Sequence, residues 1–120
     1  MEERLQKVKS ADVILITSDR LGTGDEELGK ILMKSFLNTL WNHETKPSKV
    51  LFINRGVMLT TEGSEVLETL ELLEQGGVEI FSCGTCLAFY AIKEKLRVGK
   101  VTTMPLTVDS LLAASKVITI

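Results

Sequence analysis

The sequence predicts an α/β fold: a three-layer, open, mostly parallel five-stranded sheet with helices on both faces, in the flavodoxin-like strand order 2-1-3-4-5. Three observations lead there. Apolar runs of strand length alternate with helical-period segments along the whole chain. The runs are continuous rather than alternating, as suits strands buried on both faces. Strict alternation of the two element types calls for parallel strands joined by crossover helices.

Each element has its own signal. Val13-Ile14-Leu15-Ile16-Thr17-Ser18 reads as the first strand. A glycine-containing loop, Asp19 to Gly24, follows it. Asp25-Glu26-Glu27 then opens a helix with acids where the dipole favours them, and Leu28, Ile31, Leu32, Ser35, Phe36 and Leu40 recur at helical spacing. A loop with Pro47 leads to the second strand, Lys49 to Asn54. Arg55 to Leu59 is a loop of open shape. Thr61 or Ser64 caps a helix over Glu65 to Gln75, with Val66, Leu67, Leu70 and Leu73 inward and Gly76-Gly77 as its stop. Val78 to Ser82 is the third strand, and Leu87 to Leu96 the third helix. Lys100 to Thr103 is a short fourth strand. Thr107 caps a helix to Ala114 with Leu111-Leu112 inward, and Lys116 to Ile120 is the last strand. Residues 1–9 read as a tail or linker remnant, and residues 10–120 as one domain.

Bulk composition narrows the function. At 120 residues the chain can build one proper core without staples. A net charge of −2 and 5% aromatics leave neither a basic footprint nor a base-stacking platform, so no nucleic-acid partner is expected. No apolar run approaches the ~20 residues that span a bilayer, and the charged start Met1 to Lys7 lacks a signal-peptide core. The expectation is a cytoplasmic protein with no membrane partner. Two cysteines and the lone His43, in a distant polar loop, are a poor metal set, so no metal is expected.

Both cysteines fall in Cys83-Gly84-Thr85-Cys86, directly after the third strand. A strand-to-helix junction aims free N–H groups and the positive end of a helix dipole at such a place. There a thiol should ionise more easily, and the thiolate is the reactive form. By dipole Cys86 is the more acidic; by access to the crevice Cys83 is the better placed. Gly84 allows a tight turn and access to sulfur, and Thr85 can cap the helix or donate to a bound sulfur anion. The plainer alternative is that both cysteines are small core hydrophobes.

In the assumed strand order the loops after strands one and three flank the switch point, where ligands of open α/β sheets bind. Asp19 and Gly22 would then face the cysteines, with Asn54 and Arg55 at the same edge. The first loop lacks the three-glycine dinucleotide pattern and the Gly-Lys-Ser/Thr of a P-loop, and Asp25 would repel phosphate. With no aromatics placed for a flavin, no cofactor is expected. Arg55 is suited to an anionic sulfur species and Asn54 to a hydrogen bond. Trp41 and Tyr90 read as packing or interface residues.

The segment Gly77 to Leu87, with its strand followed by Cys-Gly-Thr-Cys and a helix, resembles the DsrE/DsrF/YchN-like family. The loop Thr17 to Gly29 looks more specifically like the C-terminal domain of the YedF branch, which is assigned to selenium metabolism. The resemblance covers roughly residues 10–120. It implies a sulfurtransferase-like sulfur or selenium relay with a persulfide on Cys83, and Cys86 as a second thiol. It also implies a TusA-like sulfur-carrier protein or domain as partner, a persulfide donor, and a homo-oligomer, a trimer or hexamer, with a dimer as the further option. The TusA-like domain and its Cys-Pro-x-Pro motif are absent from this sequence. Two other functions fit the residues: a thioredoxin-like dithiol oxidoreductase using Cys83 and Cys86, and a non-catalytic oligomeric partner subunit.

Overall fold

A computed structural model describes residues 8–120. Of the expected tail, residues 1–7 lie outside the described residues, while Val8–Lys9 forms a two-residue strand, β1. The elements that follow are β2 (Asp12–Ile16), α1 (Glu26–Asn42), β3 (Thr45–Lys46), β4 (Lys49–Phe52), a 3-10 helix (Asn54–Thr60), α2 (Leu67–Gln75), β5 (Glu79–Cys83), α3 (Gly84–Phe89), a short 3-10 turn (Lys93–Lys95), β6 (Lys100–Thr102), α4 (Met104–Ala113) and β7 (Lys116–Thr119). Parallel pairing of β1 with β3 makes a small separate ladder that the sequence pattern did not announce.

The five expected strands form one all-parallel sheet, but in the order β6-β5-β4-β2-β7. Numbered by the five sheet strands this is 4-3-2-1-5, so the flavodoxin-like order is corrected. The first three crossovers each step to the adjacent position. The reversal comes only after β6, when the chain returns to pair β7 with the far side of β2. That return spans four strand spacings, ~19 Å. The ten-residue α4 covers ~15 Å of it. The switch point therefore lies between β2 and β7. There the Thr17 N–H and hydroxyl both donate to the Ile120 carbonyl, at 3.0 and 2.8 Å.

One face of the sheet holds the main core. Ile14, Ile16, Val50, Phe52 and Ile80 point into it, and Met33, Leu37, Leu70, Leu73 and Leu87 come down from α1, α2 and α3. The opposite face carries only α4, which shares a groove with Lys49, Phe81 and Thr102.

Several expected details shift. In α1 the buried residues are Gly29, Met33 and Leu37, whereas Leu28, Ile31 and Leu32 face outward. The helix carries two apolar stripes, and the one containing Gly29 lets it lie against Arg20. Neither Thr61 nor Ser64 is the side-chain cap of α2: the cap position is Val66, whose N–H donates to the Ser64 hydroxyl. The open loop after β4 is the 3-10 helix, and α3 is six residues long, ended by Ala91 at φ 58°. At α4 the cap is Thr103, with Pro105 in the first turn; Thr107 is a buried helix residue, and Leu112 is 83% exposed. Asp25 does cap α1, accepting from the Leu28 N–H at 3.0 Å. Among the described residues no helix is long and apolar enough to cross a membrane.

Candidate functional site

The site is built at the carboxyl ends of β2, β4 and β5, which are neighbours in the sheet. It does not sit at the switch point, which is one strand further along. The three loops nonetheless converge, because the β4 loop stands between the other two. Gly56 permits that placement. A Cβ there would lie 2.4 Å from the Ile16 carbonyl oxygen, so only glycine lets the 3-10 helix cross the end of β2 so closely.

Cys83 is the last residue of β5 and the N-cap position of α3. Its sulfur accepts the Cys86 N–H at 3.3 Å, taking the place a serine or aspartate oxygen usually holds. The expected cap, Thr85, is exposed in the first turn instead. Gly84 lies close to the neighbouring strand: a Cβ would be 3.0 Å from the Val101 side chain and 3.3 Å from the Thr102 carbonyl oxygen. Cys83 is 6% exposed, and Cys86 is half-buried. Both are free thiols.

Cys86 meets two groups. Its sulfur accepts the backbone N–H of Asn54 at 3.1 Å and lies against Cys83. Burial, then the hydrogen bond with Cys83, pushes its thiol above the ordinary cysteine value, against the lowering effect of the Asn54 N–H. Desolvation outweighs the two backbone hydrogen bonds that lower it.

Asn54 is held at φ 53°, a left-handed conformation that asparagine tolerates better than most residues. That conformation accompanies the N–H directed at Cys86. The Tyr90 hydroxyl donates to the Asn54 side-chain oxygen at 2.9 Å, clasping it from α3. Next along, the Arg55 guanidinium reaches Asp19 through two contacts of 3.4 Å, and that carboxylate raises its pKa further. Asp19 also lies 3.9 Å from Arg20. Of the expected residues, Asn54 contacts Cys86 directly, while Arg55 and Asp19 pair with each other next to it. Gly22 does neither: it is exposed, with nothing within 4 Å of its Cβ position. Tyr90, expected as a packing or interface residue, also holds Asn54. Its signal was present, four residues after Cys86 and so on the same helical face.

Behind Cys83 the Ser82 and Thr60 hydroxyls are buried and 2.8 Å apart, fixing the end of β5 to the 3-10 helix. No group of three or more His, Cys, Asp or Glu able to hold a metal occurs among the described residues.

The strand order and this end-of-sheet arrangement can be compared with solved structures. The YchN protein of E. coli superposes with a TM-score of 0.64 at 18% identity, over 92% of this chain and 99% of its own. The fold is YchN-like. MTH1491 of Methanobacterium thermoautotrophicum matches equally well, with a TM-score of 0.64 at 18% identity over 95% and 100% of the two chains. BT1422 of Bacteroides thetaiotaomicron gives 0.59 at 13% identity, over 92% and 95%. No protein-family model and no curated protein matches the sequence. The likeness spans 95% or more of each neighbour's chain.

Proposed function

We propose that the protein is a sulfur-relay protein of DsrE/YchN type that carries a persulfide on Cys83. The observation supporting this most directly is a pair of free thiols in mutual contact at the end of a parallel strand, with a backbone N–H donated to each sulfur. Such donors stabilise a thiolate or a persulfide anion. Burial pushes the Cys86 thiol up, and Cys83 stands at the strand end where the resemblance puts the persulfide.

In the loading step the Cys83 thiolate attacks the terminal sulfur of a donor persulfide. The donor S–S bond breaks, its electron pair leaves on the donor thiolate, and Cys83–S–SH remains. An acceptor thiolate then takes the terminal sulfur and restores the Cys83 thiolate. Alternatively Cys86 attacks the inner sulfur, releases hydrosulfide and leaves a Cys83–Cys86 disulfide. The resemblance of the first loop to YedF-type domains supports selenium as the alternative cargo. A TusA-like carrier is the proposed macromolecular partner. A cytoplasmic setting suits two thiols kept reduced. A homo-oligomer is supported by the apolar side chains that α4 and β7 leave exposed.

The test is intact mass spectrometry after incubation with a cysteine desulfurase and cysteine, on wild type, Cys83→Ser and Cys86→Ser. A reducible gain of one sulfur atom, lost in Cys83→Ser and kept in Cys86→Ser, is the expected result. Loss of two hydrogens with no sulfur gained would replace this reading with the dithiol oxidoreductase. Loading that persists in Cys83→Ser and vanishes in Cys86→Ser would move the persulfide to Cys86.

A further inference from the structure

A closed ring of hydrogen bonds begins and ends on Cys86. Its sulfur accepts the Asn54 backbone N–H at 3.1 Å. The Asn54 side-chain oxygen accepts the Tyr90 hydroxyl at 2.9 Å. The Tyr90 backbone N–H donates to the Cys86 carbonyl at 3.1 Å, one helical turn back. The ring ties the start of the 3-10 helix to α3.

The strained member of the ring is Asn54, at φ 53°. Asparagine visits this left-handed region, but the right-handed and extended regions cost it less, and a turn into either would swing the N–H off the sulfur. Tyr90 holds the side chain of this residue from a different element. The chemistry of its neighbours fixes where the phenol proton goes. Arg55 is raised mainly by Asp19 and, in smaller part, by the Tyr90 hydroxyl beside it. Arginine offers only donors, so the phenol oxygen accepts on that side and its one proton goes to Asn54. The Tyr90 ring also meets Phe89 edge-on, with centroids 5.3 Å apart.

We propose that Tyr90 is a positioning residue of the thiol pair: by holding Asn54 in its left-handed conformation it keeps the Asn54 N–H on the Cys86 sulfur, and so readies Cys86 as the thiolate that empties Cys83. This assignment rests on the sulfur-relay reading for its chemistry. The Cys86 thiol first gives its proton to water. Its thiolate attacks the inner sulfur of Cys83–S–SH, and a Cys83–Cys86 S–S bond forms. The bond to the terminal sulfur breaks, and its electron pair leaves with that sulfur as hydrosulfide. No outside oxidant or reductant enters the step. Tyr90 touches none of the reacting atoms. The titratable group in contact with Cys86 is Cys83, while Tyr90, Arg55 and Asp19 stand around Asn54.

The test is the pH profile of Cys86 alkylation by iodoacetamide in Cys83→Ser, where Cys86 is the one thiol left, with and without Tyr90→Phe. Phenylalanine keeps the ring and its contact with Phe89, and circular dichroism checks the fold. The midpoint should move to higher pH in Tyr90→Phe, and the rate at pH 7 should fall about three- to tenfold, as for loss of one hydrogen bond. An unmoved midpoint would overturn the assignment. An Asn54→Gly background isolates the route. Glycine takes the left-handed conformation freely and keeps the N–H, but offers Tyr90 no oxygen. There Tyr90→Phe should change nothing; a shift of the same size would overturn the assignment, since Tyr90 would then act without Asn54. With both cysteines in place, mass spectrometry should show desulfurase-loaded Tyr90→Phe passing to the disulfide more slowly than loaded wild type. A loaded wild type that never forms the disulfide would overturn the role of Cys86 in release. If wild type never gains sulfur while Tyr90→Phe still moves the Cys86 midpoint, the relay reading fails alone. If loading proceeds and the midpoint stays, the Tyr90 assignment fails alone.

Discussion

The two faces of the sheet are served very differently. On one, three helices close over Ile14, Ile16, Val50, Phe52 and Ile80, all at most 3% exposed. On the other, among the described residues, a single ten-residue helix leaves Met104, Leu106 and Leu112 more than half exposed, and Val117, on edge strand β7 beside Val13, partly so. All-parallel sheets are almost always covered on both faces. The first face accounts for the stability of the protomer and holds the site at its rim. The second buries Val13 and Leu51 at its centre but leaves the outer side of α4 bare.

Mutations should separate these two roles. Phe52→Ala, at 0% exposure in the three-helix core, should cost about 3–5 kcal/mol in denaturant unfolding. A loss below about 1 kcal/mol would mean that this face is not the packed one. Gly56→Ala should cost about 1–3 kcal/mol, because the new methyl meets the Ile16 carbonyl. It should also slow sulfur loading, by displacing Asn54 from Cys86. Ser82→Ala removes one buried hydroxyl contact while Thr60 keeps its bond to the Val57 carbonyl, so about 1 kcal/mol is expected. Leu112→Ser should leave protomer stability within about 0.5 kcal/mol. It should lower the mass measured by light scattering if the α4 face is an interface; an unchanged mass would locate any contact elsewhere.

The smallest effect concerns pH. Cys86 is raised in the folded protein, so its protonated form is favoured by folding. Its contribution is complete below the unfolded cysteine value and is lost as pH rises through the folded value. Stability should therefore fall on the alkaline side in wild type and fall less in Cys86→Ser. In Cys83→Ser two of the raising influences on Cys86 are gone, so its alkylation should begin at lower pH than in wild type.

Much of this arrangement was legible in the chain, for reasons that differ by element. β2, β4 and β5 are short apolar runs bounded by turns, and burial on both faces writes itself directly into such runs. The Cys83/Cys86 pair was legible because a strand end and a helix start meet there. Strand order was not, since α1, α2 and α3 would look the same whether the reversal followed β4 or β6. In α1 the apolar spacing alone does not pick the inward face, because Leu28-Ile31-Leu32 and Met33-Leu37 are both apolar; Gly29, Met33 and Leu37 are the buried set, with Phe36 and Leu40 at its edge. The start of α4 was set four residues late at Thr107, although Pro105 marks a first turn. The Asp19–Arg55 and Asn54–Tyr90 contacts each join residues 36 apart, beyond any local pattern.

A sulfur atom standing where a helix cap normally has oxygen has one more consequence. The Cys86 amide proton rests on the very atom that any cargo would modify. Attaching a second sulfur, or an alkyl group, changes the charge and size of that acceptor. The resonance of this one amide should therefore shift with the chemical state of Cys83 and its exchange with solvent should change. A single peak in an NMR spectrum would serve as a built-in gauge of whether the protein is empty or loaded.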